Sequence, residues 1–135
     1  MISILFVSLG LVSLQPMTET ECENAMSQME MTACATQRFE RADAELNRLY
    51  REQIVAARES DRSPENGRSE GDDRPGEEET LREAQRAWVA FRDAHCRGEG
   101  YAARGGSMEP MVYEDCRARL TRERIAQLTP QQSPE

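Results

Sequence analysis

Apolar residues recur at spacings of three and four along most of this chain, which is the period of an amphipathic α-helix. Two capping boxes of the form S/T-x-x-E, at 18–21 and 27–30, each mark a helix start. We therefore predict a short helix over about 19–26 and a long helix over about 28–58. The long helix carries the clearest apolar stripe, which consists of Met31, Ala35, Phe39, Ala42, Leu46 and Leu49.

The second half of the chain predicts two further helices. One covers about 77–97 and includes the stretch LREAQRAWVAFRDAHC at 81–96. A glycine-rich connection follows, and Ser107 is the expected N-cap of a last helix that runs to about 128. No segment alternates apolar and polar residues as a strand would. The predicted fold is all-α, a small bundle of about four helices.

The stretch at 81–96 places polar residues inside an apolar stripe. On a helical wheel one face carries Leu81, Ala84, Trp88 and Phe91. Gln85, Arg92 and His95 fall on that same face, where a simple core helix carries Leu or Ile. A buried arginine without a partner costs several kcal/mol, so this face should meet polar groups from other helices.

The other helices do offer such groups. The predicted network consists of Asp43, Asn47, Gln85, Arg92, Asp93, Thr121 and Arg124, and Arg117 lies on the same edge of the last helix. Asp43 or Asp93 would neutralise a buried arginine of this set. We interpret the set as a structural network that fixes helix register, with a ligand site as the alternative. The residues expected to anchor the core around it are Leu46, Tyr50, Trp88 and Leu120.

The first residues resemble an export signal. Positions 2–14, ISILFVSLGLVSL, are apolar and uncharged. As a helix they would rise only about 20 Å, short of the roughly 30 Å hydrocarbon core, which favours a signal peptide over a stable membrane span. No Lys or Arg precedes the run, no clean A-x-A site follows it, and no lipobox precedes Cys22. We predict a signal-peptide-like segment at 1–17 and a periplasmic or secreted protein.

Cysteine usage also favours export. The four cysteines are Cys22, Cys34, Cys96 and Cys116, an even number in a small chain. We predict two disulfides, as expected in an oxidising compartment. Three connectivities are possible, and we favour Cys22 with Cys34 and Cys96 with Cys116, because each pair would close a short helical hairpin. With a single His and no C-x-x-C pair, the chain offers poor metal-ligand spacing, so we expect no metal and no cofactor.

Charge is distributed unevenly. The formal net charge is −8, and the Ser-, Gly-, Pro- and acid-rich stretch at about 60–79 predicts an acidic disordered insertion. That insertion interrupts a single helical domain at 18–128, and 129–135 should form a flexible tail. Net acidity opposes nucleic-acid binding, which requires a basic surface. It favours encounter with a basic protein partner.

The chain lacks the parts of a recognisable enzyme. His95 is its single imidazole and directly precedes Cys96, whose thiolate would be absent in a disulfide. The motifs G-x-S-x-G, H-E-x-x-H and the P-loop are all missing. We therefore predict no catalytic residues, and a lone His on an inward helix face is most often a packed core residue.

Together these segments resemble the LprI-type lysozyme-inhibitor domain over about 22–128, excluding the acidic insertion. The resemblance rests on Cys22 and Cys34, on ADAELNRLY, on LREAQRAWVAFRDAHC, on GGS at 105–107 and on CRARLTRERIAQL. Their order and spacing are specific in combination. The lipid attachment of the family's named member is missing here.

The resemblance implies a small, secreted, helical, disulfide-bonded domain that inhibits lysozyme or a related muramidase. A basic lysozyme would be attracted by the acidity of this chain. A protruding loop or the glycine-rich turn near Arg104 would then be a candidate to enter the cleft of the enzyme, and Arg104 could meet its catalytic carboxylates. The alternative function is an envelope interaction or scaffold module without inhibitory activity, and the resemblance assigns no binding residues.

Overall fold

The computed structural model describes residues 16–129 and confirms the all-α fold. Its elements in chain order are α1 (Glu19–Glu23), α2 (Gln28–Arg62), α3 (Glu77–Gly100), a 3-10 turn (Tyr101–Ala103) and α4 (Glu109–Leu128). Most of the predicted signal segment 1–17, and all of the tail after residue 129, lie outside the described residues. Between residues 16 and 129 no strand is present, and no helix is long and apolar enough to span a bilayer.

Both predicted capping boxes form. Thr18 Oγ1 accepts from the Glu21 N–H at 3.3 Å, and Glu21 Oε2 accepts from the Thr18 N–H at 2.6 Å. Ser27 and Glu30 make the equivalent bonds at 3.2 and 3.0 Å. The bonds from the backbone N–H groups of Thr18 and Ser27 hold the pKa of both glutamates below its usual range. Negative charge therefore stays at the N-terminal ends of α1 and α2, where it stabilises a helix.

α2 is longer than the sequence pattern predicted. It continues to Arg62 rather than ending near residue 58, because the first strong helix breaker is Pro64, which disfavours helical geometry at Ser63. The connection to α3 spans 63–76, so the predicted insertion at about 60–79 overlaps the ends of both helices. Its disorder stays a prediction.

The last turn of α2 supplies the cap of α3. Asp61 Oδ1 accepts from the Glu77 N–H at 2.7 Å, and Asp61 Oδ2 accepts from the Glu78 N–H at 3.0 Å. A Cβ atom at Gly76 would lie 2.6 Å from Asp61 Oδ2. Glycine at this position therefore allows the carboxylate to reach the first N–H groups of α3, which have no partner within their own helix.

Replacing Asp61 with alanine is expected to lower the melting temperature at neutral pH, because α3 loses its cap. The two backbone hydrogen bonds also hold the pKa of Asp61 below its ordinary value of 3.8. A carboxylate with a lowered folded pKa stabilises the fold above its unfolded pKa and loses that contribution as pH falls through the folded value. Thermal scans should therefore show a difference from wild type that shrinks below about pH 4. Asp73→Ala, in the exposed connection, is the control; an equal effect of both changes would contradict the capping role.

α2 and α4 run side by side in the same direction, and α3 packs against both. Gln28 Nε2 lies 3.5 Å from Met111 Sδ near the start of the two helices, and Arg38 Nη2 lies 2.7 Å from Asp115 Oδ1 further along. The buried apolar side chains lie mainly on α2 and α4 and include Cys34, Ala35, Phe39, Ala42, Leu46, Leu49, Ile54, Ala57, Ala118 and Leu120.

The structure corrects the predicted inward face of α3. Ala84, Phe91 and His95 are exposed, and the buried side chains are Gln85, Arg92 and Cys96. The disulfide of Cys96 with α4 fixes how the helix is rotated about its axis. That rotation carries Phe91 and His95 outward, where their rings stack with centroids 5.3 Å apart.

The predicted N-cap of α4 is also wrong. Met108, not Ser107, precedes the first helical residue, and its side chain makes no capping bond. Pro110 occupies the first turn, where a missing backbone N–H costs no helix hydrogen bond. The Glu109 carboxylate turns back to accept from the Gly105 N–H at 2.7 Å. Gly105 has a φ of 75°, a conformation that favours glycine.

Both favoured disulfides are confirmed. Cys22 is bonded to Cys34 with a Cα–Cα distance of 5.6 Å, and Cys96 to Cys116 with 5.4 Å. The first pair attaches α1 to α2. The second lies in a buried cluster with Leu120, against which Trp88 and Tyr113 pack, and it joins α3 to α4 at the centre of the bundle.

Candidate functional site

Arg92 is the centre of the polar cluster and is only 4% exposed. Its Nη1 donates to Asp43 Oδ1 at 2.9 Å and to Thr121 Oγ1 at 3.3 Å, and its Nε donates to Asp93 Oδ1 at 2.9 Å. The three partners come from α2, α4 and α3 itself. One guanidinium therefore connects all three long helices, with two carboxylates to compensate its charge.

The remaining predicted members lie around this centre. Asn47 is exposed and donates to Asp43 Oδ2 at 3.0 Å. Gln85 is buried and accepts from Arg124 Nε at 3.1 Å, so it holds a second arginine beside the first. Burial lowers the pKa of the Arg124 guanidinium below its ordinary value. The structure thus places all seven predicted network residues in contact with at least one other member.

Aromatic rings complete the cluster, a feature that the sequence pattern did not reveal. The Arg92 Cζ atom lies 5.0 Å from the Phe39 ring centroid and 5.1 Å from that of Trp88. Arg124 Cζ lies 5.8 Å from the Trp88 centroid. Cation–π contacts of this kind contribute about 0.5–2 kcal/mol each, more when water is excluded.

Arg117 is the main residue of the cluster that the predicted network did not include. Its Cζ lies 3.6 Å from the Phe39 ring centroid and 5.1 Å from that of Tyr113. Its Nη1 donates to Glu114 at 3.2 Å, and its Nε lies 3.5 Å from Asp93 Oδ1 without a hydrogen bond among the described residues. The available signal was its spacing, one turn before Thr121 on the inward side of α4.

The predicted core anchors are buried to different degrees. Leu46 and Leu120 are buried, whereas Tyr50 and Trp88 are half-buried. Arg92 directs its Nε and Nη1 donors to protein atoms and its guanidinium towards two rings. The cluster is therefore occupied by its own side chains, an arrangement that suits helix positioning rather than ligand capture.

A second cluster of charged side chains, His95, Glu99 and Arg119, lies beside the disulfide of Cys96 with Cys116. His95 Nε2 is 2.9 Å from Glu99 Oε1, and Arg119 Nη2 donates to the same oxygen at 2.6 Å. Burial raises the pKa of Glu99, but the bonds from Arg119 and His95 outweigh it and the net shift is downward. Cys116 Sγ lies close to both His95 and Glu99. That sulfur is bonded to Cys96 and cannot act as a thiolate ligand or nucleophile.

An open cavity of about 440 Å³ lies beside the glycine-rich turn. Its lining residues are Arg97, Gly100, Gly105, Gly106, Glu109, Pro110 and Tyr113. Arg104, on the same turn, is exposed and lies over the Tyr101 ring, with its Cζ atom 4.5 Å from the centroid. The ring supports a positively charged side chain at the protein surface, available to a partner with negative charge.

Comparison with known proteins identifies a protein family that this chain matches over most of its length. The family model described as "Lysozyme inhibitor LprI" matches residues 20–128. An uncharacterized protein of Rhizobium meliloti (strain 1021) is 46% identical over 110 residues, which cover 82% of this chain and 77% of that relative. No solved structure matches this chain.

Proposed function

This chain belongs to the lysozyme inhibitor LprI family, and from that membership we propose that it is an exported binding protein that inhibits lysozyme or a related muramidase by non-covalent occlusion. The family match over 20–128 is the observation that carries the proposal, because it spans all four helices and both disulfides. Two disulfides suit an oxidising compartment outside the cytoplasm. A net charge of −8 favours encounter with a basic enzyme.

Occlusion fits the chemistry that this chain offers. All four cysteines are in disulfides, so a covalent mechanism through a thiolate has no nucleophile. Glycoside hydrolases of the lysozyme type use a pair of carboxylates around the scissile bond. An exposed arginine on a surface turn complements such a pair, and Arg104 is our candidate for that contact. We place the protein in the periplasm or outside the cell.

A cell-wall lysis assay tests the proposal. Purified protein in stoichiometric excess is expected to slow lysis by a basic lysozyme, and inhibition should titrate with an approximately equimolar endpoint or a measurable Kd. Lysozymes of several structural types should be compared, because specificity depends on the cleft. Undiminished lysis by all of them would overturn the proposal and favour an envelope interaction module instead.

Arg104→Ala tests the proposed contact with the cleft in the same assay. We expect weaker inhibition with a melting temperature close to that of the wild type, because the side chain is exposed and packs only on the half-exposed Tyr101 ring. Arg51→Ala, an exposed arginine on α2, is the matched control. If both variants inhibit as the wild type does, the turn does not enter the cleft, although inhibition through another surface would stand.

A further inference from the structure

Methionines concentrate at one end of the bundle. The six within the described residues lie in only two segments, 17–31 and 108–111. These segments meet where the first turns of α2 and α4 come together, since Gln28 Nε2 lies 3.5 Å from Met111 Sδ. Met17 Sδ lies 3.8 Å from Cys34 Sγ and belongs to the same end. We call this region the methionine end.

The methionine end exposes apolar area that the fold does not use. Met26 is 90% exposed, Met29 79% and Met108 49%. A single exposed apolar residue is ordinary, but three at one end of the bundle make a candidate interaction surface. Methionine is flexible and polarizable, so it adapts to a partner of irregular shape.

The backbone that carries these flexible side chains is held rigidly. The Cys22 disulfide attaches α1 to α2, and the Ser27 capping box fixes the turn between Met26 and Met29. Adaptable side chains on a fixed backbone bind with less loss of conformational freedom than a mobile loop would.

Charge indicates which partner suits this surface. Residues 16–37 contain four glutamates and no Lys or Arg. Glutamates are ionised near neutral pH, and the backbone N–H groups of Thr18 and Ser27 hold the carboxylates of Glu21 and Glu30 in place by hydrogen bonds of 2.6 and 3.0 Å. The α1 and α2 side of the exposed apolar area is therefore bordered by negative charge, which is complementary to a basic surface with apolar residues.

We infer that the methionine end is the docking surface for a basic protein, and that in this chain it supplies the main apolar contact with lysozyme. The inference rests on the proposed function for the identity of the partner. It goes beyond it by naming the contact surface: Met26 and Met29 at the start of α2, with Met108 directly before α4.

Oxidation by hydrogen peroxide, followed by mass spectrometry of the full chain as purified, tests the surface directly. In the free protein Met26 and Met29 should oxidise faster than the half-buried Met31. An excess of a basic lysozyme should slow oxidation of Met26, Met29 and Met108. Unchanged oxidation of all three while lysozyme is inhibited would overturn the surface and leave the proposed function standing.

The oxidation experiment would also show whether something other than lysozyme covers the methionine end. Slow oxidation of Met26 and Met29 in the free protein would mean that a second copy or residues 1–15 cover them, and sedimentation velocity would separate these two cases; either overturns the inference. Protection by lysozyme without any inhibition of lysis would support the docking surface and overturn the inhibitory function. Neither protection nor inhibition would overturn both.

A paired substitution measures the contribution of the surface. Met26→Gln with Met29→Gln keeps chain length and, at position 29 within α2, helix propensity, but it adds polar atoms. It is expected to weaken lysozyme binding by about tenfold or more, as loss of central apolar contacts does. Val55→Gln, 52% exposed on the same helix, is the control and should bind like wild type. Equal affinity of all three proteins, with equal melting temperatures, would overturn the inference.

Discussion

Replacing Cys96 and Cys116 together with alanine is expected to lower the free energy of unfolding by about 3 kcal/mol. The disulfide closes a loop with a sequence separation of 20 residues, for which the chain-entropy model gives roughly that value at room temperature. Both sulfurs are buried, and each packs in the cluster with Leu120, so the substitutions also remove apolar contacts. A small domain has a total stability of about 5–15 kcal/mol, so much of it would be lost.

Urea denaturation of the double variant measures this loss, and the Cys22→Ala with Cys34→Ala variant is the informative comparison. The separation of 12 residues gives nearly the same entropic term, again about 3 kcal/mol. However, α1 is a single five-residue helix with no buried side chain, so it can detach while the bundle stays folded. We therefore expect the peripheral pair to cost less. An equal or larger cost would show that α1 contributes to the cooperative core.

Much of the fold follows from local signals in the sequence. The capping boxes fixed the starts of α1 and α2, and a period near 3.6 identified the long helices. Errors arose where tertiary contacts decide. The start of α4 depends on a bond between Glu109 and Gly105 rather than on Ser107. The rotation of α3 depends on its disulfide with α4, which moves Phe91 outward.

The ion pairs of the candidate site could be predicted from the sequence, but its contacts between arginines and aromatic rings could not. A buried arginine requires acids, and Asp43 and Asp93 could be found by that rule. The stacking of Arg117 on Phe39 could not, because 78 positions separate them in the chain and neither residue type specifies the other. Aromatic residues in an apolar stripe predict packing, but a contact with a cation depends on helix crossing geometry.

Arg92→Leu is expected to lower the free energy of unfolding by about 2–3 kcal/mol. Removing one partner of a buried ion pair typically costs about 3–5 kcal/mol. The side chains of Asp43 and Asp93 are 34% and 33% exposed, so water can solvate them partly after the change, and we expect a smaller loss. Thr121 also loses its bond to the guanidinium. Chemical denaturation gives the value, and Arg86→Leu on the exposed side of α3 should stay within about 0.5 kcal/mol of wild type.

A double-mutant cycle then tests the ion pair between Arg92 and Asp43. Adding Asp43→Asn to Arg92→Leu removes the charge that was left without a guanidinium. The Asp43→Asn change should therefore lower the free energy of unfolding less in the Arg92→Leu variant than in the wild type.

An inhibition assay then separates a structural role of Arg92 from a role in binding. If the network only positions helices, the Arg92→Leu variant should inhibit lysozyme as well as the wild type does, at temperatures where it is fully folded. Normal melting with lost inhibition would instead make Arg92 a partner contact. Because the guanidinium is 4% exposed and engaged by three helices, we expect the loss in stability and not in binding.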